Sequence, residues 1–170
     1  MKPFNCGLRS GEVRGLTWTD IDFKNKKLTV NKNVVINFEG NKYLITTPKT
    51  KRIPIPNVLL EDLKTLRKYQ DNYYEFNNDW FVFGSFEPLG KAVMRERKNK
   101  NCKLAGVKQI RIHDFRHSCA SLLINNGANI TMVAKYLGHT KIDETLNTYS
   151  HMFKSKLENI VDTINKLNEQ

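Results

Sequence analysis

The chain has 170 residues, with 28 Lys and Arg against 17 Asp and Glu, a formal charge of +11 and a pI near 9.6. That length allows one domain with a real core and is short for two. A mean hydropathy of −0.54, no run approaching the roughly 18 apolar residues of a membrane span, and a start (Met1 to Gly7) without an apolar signal segment point to a cytosolic protein with no membrane contact.

In chain order, Glu12 to Leu16 reads as a helix with Ser10 as its N-cap, ended by Trp18-Thr19-Asp20-Ile21-Asp22. Phe23 to Lys32 reads as a strand pair about an Asn25-Lys26 turn, with Lys27-Leu28-Thr29-Val30 alternating. Val34-Val35-Ile36, closed by Glu39-Gly40-Asn41, and Tyr43 to Thr47 follow as strands, and together these segments predict a small three-stranded antiparallel sheet. Pro48 to Lys51 reads as a turn or strand edge, and Ile53-Pro54-Ile55-Pro56 as extended. Leu59, Leu60, Leu63, Leu66 and Tyr69 form a helical stripe over Val58 to Asn72, and Asp79 to Phe86 is short, aromatic and extended or looped. A basic helix is expected over Leu89 to Leu104. Further helices are expected over His113 to Asn125, stopped by Asn126-Gly127, and over Ile130 to Leu137, ended by Gly138. Asp143 to Ser155 carries a helical turn or two, and a last apolar stripe over 156–167 packs either in cis or against a neighbouring protomer. There is no repeat, low-complexity tract or linker, so the expected fold is a single mainly α domain with a small antiparallel β-sheet (α+β).

The charge is concentrated. Nine basic residues lie between Lys91 and Arg116, opposed only by Glu96 and Asp114, and four more bases and no acid lie between Lys42 and Arg52. Clustered Lys and Arg neutralise phosphates and release counterions, so double-stranded DNA is the expected partner, with Lys91, Arg95, Arg97, Lys98 and Lys100 as candidate backbone contacts. Three cysteines (Cys6, Cys102, Cys119) without C-x-x-C pairing speak against a disulfide framework or zinc knuckle.

The candidate chemistry lies in two Arg, two His, a Lys and a Tyr. His113 and Arg116 are three apart at a helix start, Arg9 stands upstream beside Glu12, Lys49 lies after the sheet, His139 follows Gly138, and Tyr149 lies in Thr148-Tyr149-Ser150. Metal-free phosphodiester cleavage needs these types. Guanidinium forks stabilise charge on the non-bridging oxygens, a donor protonates the leaving oxygen, and a phenol with an ordinary pKa near 10 needs activation to attack.

Gly7-Leu8-Arg9-Ser10-Gly11-Glu12-Val13 with Leu16 to Asp22 resembles the first arginine motif of the tyrosine recombinase (phage integrase) family. His113-Asp114-Phe115-Arg116 resembles its H-x-x-R motif, and Leu137-Gly138-His139 and Thr148-Tyr149-Ser150-His151 resemble its last two, in the same order and rough spacing. The general style is similar to integrases of conjugative transposons and phages. The resemblance implies the catalytic core of that family, acting in DNA integration and excision without metal, ATP or other cofactor. It implies that Tyr149 attacks the scissile phosphate to form a 3′-phosphotyrosyl link, Arg9 and Arg116 clamp the phosphate, and His139 adds a hydrogen bond. By the same resemblance His113 assists proton transfer, Lys49 protonates the 5′ leaving oxygen, and Glu12 orients the site. Lys51, two residues on, is an alternative to Lys49.

Cys6 stands where the family usually has Thr. Family members also carry a further helix and a core-binding domain before the first arginine. With eight residues before Arg9, the chain is expected to be a single C-terminal catalytic domain without its first helix, weakly active or inactive alone. It is expected to be monomeric as a free fragment and a homotetramer on DNA when full length. Three other chemistries are compatible with parts of this sequence. A zinc site built on His113 and His117 leaves Arg9, Arg116 and Tyr149 unexplained. A non-catalytic DNA-binding module would use only the basic helix, and a type IB topoisomerase would share the chemistry without the Leu137-Gly138-His139 motif.

Overall fold

A computed structural model describes residues 6–36, 43–139, 141–150 and 164–167. The chain divides into two compact units, Met1–His117 and Ser118–Gln170.

The first unit opens with helix α1 (Ser10–Gly15) and a 3₁₀ turn (Trp18–Asp20), followed by strands β1 (Ile21–Asp22), β2 (Lys27–Val30), β3 (Asn33–Ile36), β4 (Tyr43–Thr46) and β5 (Lys51–Pro54), and by helices α2 (Asn57–Gln70) and α3 (Lys91–Leu104). The α+β character stands, but the strands group differently from the expected single sheet. β1, β2 and β5 form one antiparallel sheet in that order, and β3 and β4 form a separate hairpin. The partner that replaces the expected one is β5, a segment whose sequence predicts only a turn or strand edge and extended chain. Leu28 of β2 pairs with Ile53 of β5, both buried, so burial selects this pairing. β5 is an edge strand, which is where Pro54, lacking an N–H, can stand. The closure at Glu39-Gly40-Asn41 lies outside the described residues.

Helix α1 is short and held by tertiary contact rather than propensity. It packs on β3 at Gly11, where a Cβ would come within 2.2 Å of Asn33 Oδ1 and 2.8 Å of the Val34 carbonyl oxygen. Gly11→Ala is therefore expected to destabilise the protein by about 1–3 kcal/mol, the usual cost of overpacking, read as a lowered thermal midpoint. The N-cap is Arg9 rather than the expected Ser10, which is the first helical residue. Arginine has no acceptor for the orphan helix N–H groups. Instead the Glu12 carboxylate reaches back and accepts the Arg9 backbone N–H at 2.9 Å, one half of a capping box.

Helix α2 buries Leu59, Leu60 and Leu63 as its stripe requires, but the stripe ends on Gln70 and not on Tyr69, which is exposed. Gln70 accepts the Trp18 indole N–H at 2.6 Å, satisfying a buried polar group on each side. The 79–86 loop lies against the start of the chain, with Val82 N–H donating to the Leu16 carbonyl and Trp18 N–H to that of Trp80.

The second unit contains most of α4 (Asp114–Asn125, which begins in the first unit), α5 (Ile130–Leu137) and α6 (Ile142–Tyr149). The Asn129 side chain caps α5 by accepting Thr131 N–H, and Gly138, at φ 76°, ends it in the left-handed region that glycine enters without penalty. Ala120, Ile124, Val133, Leu137 and Tyr149 form the buried cluster of this unit. Of the C-terminal helix expected over 156–167, only 164–167 are among the described residues, and these are helical. No helix among the described residues is long and apolar enough to cross a membrane.

Candidate active site

The first unit gathers cations around one carboxylate. Arg9 precedes α1 in extended backbone, which sends its side chain out of the helix (side chain 44% exposed), while Glu12, one turn on, is buried. The Glu12 carboxylate accepts from the Arg9 guanidinium at 3.3 Å and from Lys51 Nζ at 2.9 Å. Burial alone would raise the Glu12 pKa, but the Lys51 ammonium and the Arg9 backbone N–H outweigh it and hold the group below the ordinary carboxylate value. Lys51 is shifted down, first by burial and further by the charges of Arg116 and Arg9, against the opposing pull of Glu12. Arg116, on the first turn of α4, is buried and donates through Nη1 to the Gly7 carbonyl, tying the helix to the loop that carries Arg9.

His113 stands just before α4, where its carbonyl accepts the Arg116 N–H at 3.0 Å. Burial lowers its pKa, and the neighbouring His117, Arg116 and Arg9 lower it further against the opposing pull of Asp114, which favours the neutral imidazole. Its ring meets that of His117 edge to face, with centroids 4.7 Å apart. Among the described residues no group of three or more His, Cys, Asp or Glu is placed to hold a metal ion. An open recess of about 520 Å³ is lined by Arg9, Ser10, Arg14, Asn33, Lys91 and His113. A second, of about 510 Å³, shares Ser10, Lys91 and His113 and adds Arg95, Gln109 and Arg111. The first unit thus brings together Arg9, Glu12, Lys51, His113 and Arg116 beside a cationic groove. Lys49 is exposed in the segment between β4 and β5.

In the second unit, His139 follows Gly138 and its Nδ1 lies 2.6 Å from the buried Thr145 hydroxyl of α6. Thr145 and Tyr149 are one turn apart on α6 and share a face, so His139 is fixed to the helix that carries the phenol. Tyr149 is 4% exposed.

Among the candidate DNA contacts, Lys91, Arg95, Arg97 and Lys100 are exposed, and Lys98 is not. Lys98 shares a helix face with Met94, one turn before it, and both are buried. Its ammonium donates to the Ile110 carbonyl at 2.6 Å, bracing α3 against the segment that leads to His113. Its ammonium is engaged inside the protein, which sets it apart from the four exposed candidates. Lys98→Met is expected to cost stability by about 1.5–3 kcal/mol, the range for a hydrogen bond to a charged group, measured by denaturant unfolding. Lys100→Met should leave stability alone, and a drop of about 0.9 in the slope of log affinity against log salt would mark Lys100 as one phosphate contact.

Sequence reasoning passed over Arg14. It is buried, its Nε donates to the Leu89 carbonyl at 2.6 Å, and burial lowers its pKa. It pins α1 to the segment entering α3, and its only sequence signal is a base one helical turn after the Ser10-Gly11 start.

The sequence profile of the phage integrase family matches residues 3–156. The ICEBs1 integrase of Bacillus subtilis is 30% identical over 174 residues, covering 96% of this chain and 47% of the relative. A XerC-like tyrosine recombinase of Caldanaerobacter subterraneus is 34% identical over 187 residues, with the same coverage of 96% and 47%. The chain therefore spans about half the length of the curated relatives it matches. Among solved structures, the Tn1549 transposon integrase in complex with transposon right end DNA is similar in fold, with a TM-score of 0.74 at 24% identity over 95% of this chain and 56% of that one.

Proposed function

This chain belongs to the phage integrase family, and we propose that it is the catalytic portion of a site-specific recombinase that cuts and rejoins duplex DNA through a 3′-phosphotyrosyl bond on Tyr149. The observation that carries this reading is the gathering of Arg9, His113 and Arg116, from distant parts of the sequence, beside an open cationic groove.

In the first unit, Arg9 and Arg116 bind the non-bridging oxygens of the scissile phosphate, where fixed guanidinium groups stabilise the charge that builds up at the pentacoordinate phosphorus. Lys91, Arg95 and Arg111 line the groove that continues from this position and take adjoining backbone phosphates. Neutral His113 accepts the phenolic proton as attack proceeds. The second unit supplies the nucleophile. The Tyr149 oxygen bonds to phosphorus, the bond from phosphorus to the 5′ oxygen breaks, and Lys49 protonates that oxygen to give a free 5′-hydroxyl. Thr145 fixes the rotation of the His139 ring through Nδ1, and Nε2 is the nitrogen assigned to the phosphate. The phosphotyrosine ester keeps the bond energy, so the 5′-hydroxyl of another strand reverses the step without ATP or metal. In the full-length protein the reaction runs in a homotetramer on DNA in the cytoplasm, with the strands exchanged between protomers.

The test is a pool of nicked suicide duplexes, in which the short 5′-hydroxyl fragment diffuses away and traps the intermediate. With EDTA present, a protein–DNA adduct resistant to denaturing electrophoresis is expected. Duplex binding with no adduct from any member of the pool would reduce the chain to a DNA-binding module.

A further inference from the structure

We propose that Lys51 is a positioning residue that neutralises the Glu12 carboxylate, so that Arg9 and Arg116 keep their charge for the phosphate. This rests on the reading of the arginine pair as a phosphate clamp and concerns how that clamp is kept available.

Glu12 is buried, and its carboxylate accepts the Arg9 backbone N–H, the Arg9 guanidinium and the Lys51 ammonium. An ionised carboxylate in such a place competes with any anion for the same donors. Unneutralised, it would draw the Arg9 guanidinium, already at 3.3 Å, onto itself and repel the incoming phosphate. Lys51 answers that charge from a fixed point. It is the first residue of β5, its Cα paired with Val30 in the ladder, and its side chain is 13% exposed. With Glu12 so matched, the positive charge of the arginines remains as surplus, which is what a phosphodiester anion needs.

The same geometry separates Lys51 from the proton donor. Were Lys51 to give its proton to the leaving oxygen, the buried Glu12 carboxylate would lose its counter-cation while negative charge was building up at phosphorus. Lys49, exposed and outside the β5 ladder, can donate without that cost.

The experiment uses single-turnover adduct formation on a nicked duplex, with oxygen or sulfur at the 5′ bridging position. A thiolate leaves without a proton, so sulfur restores the rate of a variant that lacks the proton donor and of no other. Lys51→Met is expected to slow adduct formation about 100-fold, and Glu12→Gln in the same chain to recover about tenfold of it, a coupling in the range for groups in contact. Sulfur should restore Lys49→Met and leave Lys51→Met slow. Lys51→Arg, which keeps the charge, should fall between. Restoration of Lys51→Met by sulfur, or a double variant no faster than Lys51→Met, overturns the proposal. Should the wild-type chain form no adduct, the recombinase reading fails separately, and duplex affinity then decides. Lys51→Met is expected to bind about tenfold more weakly and the double variant to recover within about threefold of wild type, whereas additive losses refute the pairing. Unfolding midpoints of all variants, and the volume-matched Glu12→Gln/Lys51→Met chain itself, separate a folding defect from lost coupling.

Discussion

Tyr149→Phe is expected to remove the covalent protein–DNA adduct completely while duplex affinity stays within about twofold of wild type, since one neutral hydroxyl contributes little beside the phosphate contacts. The phenolic oxygen is the only atom removed, and it is the atom that would be bonded to phosphorus. The ring packs with Ala120, Ile124, Val133 and Leu137 in the buried cluster of the second unit, and phenylalanine fills the same space. The expected cost to folding is that of one hydrogen bond, about 1 kcal/mol. Tyr149→Ala would lose the adduct too, but would open a cavity costing about 3–5 kcal/mol and so confuse chemistry with unfolding. Denaturing electrophoresis after incubation with the suicide duplex, beside a filter-binding isotherm on an intact duplex, distinguishes these outcomes. An adduct of undiminished yield from the Phe variant would move the nucleophile to another side chain.

The residues proposed for the site each stand in a locally recognisable setting. A helix stop of the Leu137-Gly138-His139 kind is written in adjacent residues, and Gly138 does adopt the left-handed conformation that such a stop requires. The alternation over Lys27 to Val30 likewise became burial of Leu28 and Val30. What escaped are polar groups whose burial is decided by partners far along the chain. Nothing near Gln70 announces the indole of Trp18, nothing near Lys98 announces the Ile110 carbonyl, and nothing near Arg14 announces that of Leu89. A lysine four residues from a buried methionine on one helix carries a readable hint, but nine bases in that stretch give the stronger signal of a solvated face. The Ser10 cap failed for a related reason. Cap preferences describe side chains that accept from the helix, whereas here the first turn is closed by Glu12 reaching backwards. Strand grouping failed because β3 and β4 are contiguous and read as partners of β2, while the true partner, β5, lies beyond them.

Arg116→Lys is expected to lower single-turnover adduct formation by about 10²–10³-fold, the loss seen when one fixed donor to a developing oxyanion is removed, with duplex affinity nearly unchanged because the formal charge is kept. Arg116 is buried, and one of its nitrogens is already committed to the Gly7 carbonyl. A guanidinium can hold that carbonyl and still present other N–H groups in a fixed plane to a phosphate, whereas an ammonium at the end of a flexible stem is a single point that must choose. If the lysine keeps the Gly7 bond, the phosphate loses its donor. If it turns to the phosphate, the loop carrying Arg9 loses its tie to α4, and the second arginine is loosened as well. Either way the loss falls on the chemical step, where charge is developing, and not on ground-state binding. Rapid-quench measurement of adduct formation at saturating protein isolates that step, and a Lys variant that reacts within a fewfold of wild type would show that Arg116 acts only as a charge, or only as a brace for the Gly7 loop.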